Sequence, residues 1–394
     1  MLRVTLVRSS SLLLACVAPL VVGCADSIEG KPSVVDAGVQ PVDGGALGAD
    51  ASALDASVQD ASVQDAGVID GAAPQADAAL DASFVMLPPT TAALTGPGLS
   101  TCGPNGGESC ATTILVPGGT YPVLLEPATP ATVSPYRLDK YKVTVGRFRK
   151  FVAEWLGGWR PAEGAGKHVH LNGGRGLLRT QGGYEAGWST AWNGWVGASR
   201  QASQPLTSID ATTWNTSLSG ENTISTQYVS WTPSPTTQES WPINGTNWYE
   251  ALAFCIWDGG FLPSEIEWDH AAVGGTEGRF FPWGADPVSP SRALYGVTRL
   301  EPVGGKPAGN GRWGHADLLG MLSEFVYDVR VTQYAANCTD CAHDDVNGER
   351  TTRGWNFRVA EGTLTSFGAI ARSGAYVGDR GYAYGFRCAR TGKL

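Results

Sequence analysis

The sequence predicts an α+β domain with a large share of irregular backbone, and three observations carry that expectation. Two short helices with complete start and stop signals follow one another between residues 242 and 284. Asn247 with Glu250 and Ser264 with Glu267 have capping-box spacing, and Gly259-Gly260 and Gly274-Gly275 end the two helices. The segment LVPGGTYPV, residues 115–123, alternates as a strand does about a Pro-Gly-Gly turn. Between Gly157 and Trp241 lies a long stretch rich in Gly, Ser, Thr and Trp that has no helical period.

At the N-terminus, Arg3 and Arg8 precede an apolar run from Leu12 to Val22. The run is too short to span a bilayer and is followed by a small residue, the pattern of a secretory signal over residues 1–23. Its end, Val21-Val22-Gly23-Cys24, resembles a bacterial lipobox. Cys24 is therefore expected to become the acylated first residue of an exported protein, held at a membrane surface of the cell envelope. Residues 24–100 are mostly Ala, Asp, Val, Gly and Pro, with the near-repeat DASVQDASVQDAGVID, and eleven acidic residues against Lys31 give them a net charge of −10. Such a segment buries too little to fold and is expected as an extended, self-repelling tether. Of the total charge of −9, setting Arg3 and Arg8 aside as well leaves −1 on residues 101–394. A near-neutral domain without a basic patch argues against a nucleic acid as partner.

After the strand at 115–123, Thr144 has the chemistry to cap a helix. Phe148, Phe151, Val152 and Trp155 form its apolar stripe, Arg147, Arg149, Lys150 and Glu154 are expected to face water, and Gly157-Gly158 closes it. In the irregular stretch, His168 and His170 alternate as on a surface strand, with no third ligand nearby to make them a metal site. Trp188, Trp192, Trp195, Trp214, Trp231 and Trp241 suit a loop-rich core, with one or two left over as an aromatic platform for a ligand. On the helix that Asn247 caps, Trp248, Leu252 and Cys255 share one face. With Cys16 lost in the signal and Cys24 acylated, Cys102, Cys110, Cys255, Cys338, Cys341 and Cys388 remain. An even number of cysteines in an oxidising compartment reads as a disulfide set whose connectivity the sequence leaves open.

The order WYEALAFCIWDGGFLPSEIEWDHAAVGG followed by FFPWG, over residues 248–284, closely resembles the signature of the formylglycine-generating enzyme, or sulfatase-modifying factor, family. Three further family motifs appear in order: SPYRLDKYKVTVGRFRKFV at 134–152, GRWGHADLLGMLSEFVYDV at 311–329, and GFRCAR at 385–390. The resemblance assigns residues 101–394 to that family and implies its irregular, loop-rich, C-type-lectin-like fold. It also implies a disulfide between Cys255 and Cys388, after which local proximity suggests Cys102 with Cys110 and Cys338 with Cys341.

The family's oxidases hold Cu(I) between two thiolates, soft ligands suited to that ion, and use oxygen to turn a substrate cysteine into formylglycine. The segment that carries those thiolates aligns without a gap to residues 353–373, RGWNFRVAEGTLTSFGAIARS, where the cysteine positions fall on Val359 and Leu364 and a serine position on Asn356. The family's calcium asparagines fall on Leu294 and Met321, leaving Glu324 alone as an oxygen ligand, too few for a hard cation. DDVNGE at 344–349 lacks the spacing of a calcium loop. No cofactor is therefore expected. The resemblance points to a lipid-anchored binding or scaffolding module that keeps the groove, with Trp355, Asn356 and Arg372 beside an unidentified peptide or glycan. The alternative is an oxidase or other enzyme using a ligand set of a different kind in the same groove.

Overall fold

The computed structural model describes residues 95–392 apart from 124–125, 199–205, 207–209, 220–225, 333–336, 346–347 and 371. The signal over 1–23, Cys24 and all of the tether up to residue 94 lie outside the described residues. The strands are β1 Thr113–Val116, β2 Gly119–Val123, β3 Glu126–Val133, β4 Tyr136–Asp139, β5 Leu178–Arg179, β6 Ser323–Val329, β7 Cys338–Thr339, β8 Cys341–Ala342, β9 Glu349–Arg353, β10 Arg372–Tyr376, β11 Tyr384–Gly385 and β12 Ala389–Thr391. The α-helices are α1 Val145–Leu156, α2 Ala211–Leu218, α3 Trp248–Trp257, α4 Glu265–Val273 and α5 Glu361–Phe367. The mixture is α+β, in four small sheets joined by long irregular connections.

Segment 115–123 is not one hairpin. β1 pairs antiparallel with β4, whose other edge takes β12, while β2 pairs with β3 in a separate sheet that β7 joins in parallel. The sheet that matters for the site runs β10-β9-β6-β11. Across it Arg372 lies opposite Arg353, Arg353 opposite Glu324, and Glu324 opposite Gly385.

The helices begin as their sequences dictate. Thr144 accepts from the Arg147 N–H at the start of α1, and both capping boxes form at α3 and α4. Gly274 leaves α4 at φ 71°, a conformation that glycine alone adopts without penalty. The α1 stripe and the apolar face of α3 meet in an aromatic core, where Phe148 stacks on Phe254 and Trp214 and Phe386 pack edge-on. Each such ring, fully buried, contributes roughly 1.5–3 kcal/mol. Disulfides join Cys102 to Cys110, Cys255 to Cys388 and Cys338 to Cys341, the second tying α3 to the chain before β12.

Two expectations are corrected. Arg147 does not face water: it is buried and bridges Asp139 at 2.9 Å and Asp258 at 2.6 Å, carboxylates brought from outside its own helix. His168 is not on a surface strand. It sits in irregular backbone just before a turn, fully buried, with Nδ1 3.1 Å from Glu185 and Nε2 3.1 Å from Glu267, and its ring lies on Phe261. Burial opposes the charge, but the two carboxylates outweigh it and raise the imidazole from its ordinary 6.5 to about 10.

Candidate functional site

β9 delivers the segment that resembles the family's catalytic stretch. Gly354 follows at φ 89°, where a Cβ would meet the Leu318 carbonyl at 2.5 Å, so the chain turns at a residue that tolerates no side chain. Trp355 keeps the left-handed conformation at φ 57°, which costs a residue with a Cβ about 1–2 kcal/mol. Asn356 closes an Asx turn by accepting from the Arg358 N–H at 3.0 Å. Phe357 is buried, its N–H donating to the Met321 carbonyl and its own carbonyl accepting from the Val297 N–H, and the Val359 carbonyl accepts from the Gly296 N–H at 2.8 Å. The loop is thus fixed along residues 294–297 before α5 begins.

The two sides of this loop differ. On one, Trp355 and Val359 pack against an apolar cluster of Phe281, Val288, Ala293, Leu319 and Leu364, and the Trp355 ring leans on Phe367, which is 50% exposed. The Trp355 indole nitrogen is buried there without a partner. On the other, the half-buried rings of Tyr228 and Tyr382 lie 5.0 Å apart against Phe357, with the exposed Arg358 guanidinium 4.8 Å from the Tyr228 centroid. The Asn244 amide fixes both tyrosines by donating to their carbonyls at 2.8 Å. This tyrosine pair is separated by most of the C-terminal half of the chain and had no sequence signal to join it to Asn356.

Arg372, expected beside Trp355 and Asn356, is engaged elsewhere. Its guanidinium grips Glu265 with two bonds of 2.6 and 2.7 Å and donates to the Val331 carbonyl, while Glu265 also accepts from Arg353, which pairs with Asp269. Arg372 belongs to the ion-pair network that fastens α4 to the sheet, and Trp355 and Asn356 remain on the loop without it.

The residues do not fit the family's metals. Val359 and Leu364 stand in hydrocarbon and carry no donor atom, and every cysteine among the described residues is disulfide-bonded, so none offers the thiolate that Cu(I) selects. Met321 and Leu294 touch through backbone, the Met321 N–H donating to Leu294 at 2.9 Å, and both side chains are buried in an apolar cluster. Glu324 is saturated: Lys142 and Arg387 ion-pair with it and the Trp268 indole donates to it. Burial pushes its carboxyl up, yet Arg387 and Lys142 prevail and hold it down at about 2. One trio of possible ligands converges among the described residues, Asp139, Asp258 and Cys388. Its sulfur is in a disulfide and both carboxylates are ion-paired with Arg147 and Arg390.

The capped helix pair, the small sheets and the loop after β9 make this an α+β domain of the architecture that the four sequence motifs indicate. The family profile described as the sulfatase-modifying factor enzyme 1-like domain matches residues 100–392, and the chain belongs to that family. It is similar to the formylglycine-generating enzyme of Streptomyces coelicolor, 30% identical over 172 residues, which are 39% of this chain and 54% of that protein. It is also similar to the inactive C-alpha-formylglycine-generating enzyme 2 of Mus musculus, 35% identical over 97 residues, 21% of this chain and 31% of that protein. The chain spans about half the length of the Streptomyces coelicolor enzyme and about a third of the mouse protein. Among solved structures, PvdO from Pseudomonas aeruginosa superposes with a TM-score of 0.45 at 18% identity, covering 76% of this chain and 100% of that one.

Proposed function

We propose that this protein is an exported, lipid-anchored binding or scaffolding module of the sulfatase-modifying-factor family that does not carry out the copper-dependent oxidation. The observation that carries the reading is the apolar cluster into which Val359 and Leu364 are built, together with the disulfide bonding of every described cysteine. The ligand surface is the loop bearing Trp355 and Asn356, flanked by Tyr228, Tyr382 and Arg358, which offers aromatic faces, one cation and the half-buried Asn356 amide to a peptide or glycan. Anchoring is through acylated Cys24, with the acidic tether keeping the domain off the membrane. Similarity to the mouse protein named inactive supports the loss of oxidation, and it stands beside similarity to relatives named formylglycine-generating enzyme.

Incubation of the protein with Cu(I), oxygen and cysteine-containing peptides, followed by mass spectrometry for the aldehyde, tests the chemistry: no aldehyde is expected, and copper-dependent aldehyde formation would overturn the reading. Incorporation of labelled palmitate in the producing cells, abolished in Cys24→Ser, tests the anchor.

A further inference from the structure

We infer a second ligand surface, apart from the Asn356 loop: an aromatic platform of Trp192, Trp195 and Tyr249 that takes a neutral, hydroxyl-rich sugar ring. Of the six tryptophans between Gly157 and Trp241 singled out above, Trp188, Trp214, Trp231 and Trp241 are buried, and only Trp192 and Trp195 are left half-exposed. Both lie on the 3-10 helix Thr190–Trp195 and meet Tyr249, itself half-exposed, at the first turn of α3. Trp195 and Tyr249 have ring centroids 6.1 Å apart and planes within 15° of each other, and Trp192 leans on Tyr249 at 5.7 Å.

The platform is held from behind. The Asn247 amide donates to the Trp195 carbonyl at 3.0 Å, the Gly197 N–H to Glu250 at 2.7 Å, and Arg380 to the Ala198 carbonyl at 2.7 Å. Trp192 rests edge-on against Trp188 and Trp248. Rings fixed before binding lose little freedom when a ligand arrives.

The edges of the platform select the ligand. Among the described residues nothing accepts either the Trp192 or the Trp195 indole N–H, and neither nitrogen is closed off from water. Two donors beside aromatic faces suit a pyranose, which presents an apolar C–H face and equatorial hydroxyl acceptors together. The charged groups tied to this surface disfavour an anion. Glu163, exposed, accepts from the Thr190 N–H at 2.7 Å, Arg380 is spent on Glu250 and two carbonyls, and Arg350 is buried over Trp248. A carboxylate at the rim also accepts a sugar hydroxyl.

The test titrates the full chain with cellohexaose, xylohexaose, chitohexaose and mannohexaose as neutral probes and heparin as the anionic one, read by tryptophan fluorescence and saturation-transfer NMR. At least one neutral hexaose is expected to bind. Trp195→Ala should weaken it by about tenfold or more, since one ring–ligand stack is worth that much, and Trp195→Phe, which keeps a ring and removes the donor, should weaken it less. Tyr376→Ala, an exposed ring on neither surface, should leave it unchanged. Retained melting temperature and near-ultraviolet circular dichroism in Trp195→Phe guard against unfolding. Three results would overturn the platform: no neutral hexaose bound at millimolar concentration, binding indifferent to Trp195, or binding of heparin alone. Binding lost in Trp355→Ala but kept in Trp195→Ala would also overturn it, while leaving the Asn356 loop as the ligand surface.

Discussion

Glu324 receives Lys142, Arg387 and the Trp268 indole at a point water does not reach. Glu324→Ala leaves two cations buried without their counter-charge, so it is expected to destabilise the protein by about 3–5 kcal/mol, measured by urea unfolding; a loss below about 1 kcal/mol would mean water or another carboxylate replaces it. His168 gives a pH signature. Its pKa is raised from 6.5 to about 10 in the folded protein, so its stabilisation is complete below the unfolded value and lost as pH rises through the folded one. The stability lead of the wild type over His168→Gln is therefore expected to be full near pH 6 and to shrink toward pH 10, and a lead that does not vary with pH would refute the imidazolium between Glu185 and Glu267. Neither role was legible in the sequence. His168 takes its partners from two other segments, as Arg147 and Arg372 do, and side-chain periodicity says only which residues are apolar, not which charge will meet which. That the positions aligned with the family's thiolates carry no donor atom was legible, because Val359 and Leu364 are hydrocarbon side chains whatever their surroundings.

At the scale of elements, local chemistry decided most outcomes. The caps at Thr144, Asn247 and Ser264 formed because their side-chain oxygens are the nearest acceptors for helix N–H groups that have no other partner. Ser264→Ala is expected to cost about 1 kcal/mol, visible as a lower urea midpoint with an unchanged denaturant slope. The Cys255–Cys388 bond closes a loop over 133 residues, and replacing both cysteines by alanine is expected to cost about 2–5 kcal/mol; an unchanged midpoint would show that the surrounding packing suffices to hold α3 to β12. Local chemistry fell short where pairing is distant. β1 and β2 read as one strand-turn unit yet each found a partner in a different sheet. α5, with Gly362, Thr363, Thr365 and Ser366 as four of its seven residues, carries little helical propensity, and its Leu364 is anchored by the apolar cluster beneath it.

For the whole molecule, four sequence motifs in order were enough to indicate the family, because each fixes a segment of its packed frame: α1, the α3–α4 pair, β6 and the strand after Cys388. The ligand surfaces were less legible. Tyr228 with Tyr382, and Trp192 and Trp195 with Tyr249, are assembled by the irregular connections, whose course no short-range pattern encodes. The frame is retained while the centre that the resemblance would fill with thiolates is hydrocarbon, and that is the claim on which the functional reading stands. Its most direct test is a Cu(I) competition titration against a chromophoric chelator. The full chain is used with Cys16 and Cys24 replaced by serine, so that only the six disulfide cysteines remain. No stoichiometric Cu(I) uptake and no copper-dependent oxygen consumption with a cysteine peptide are expected; tight one-to-one Cu(I) binding accompanied by peptide-dependent oxygen uptake would contradict the hydrocarbon centre.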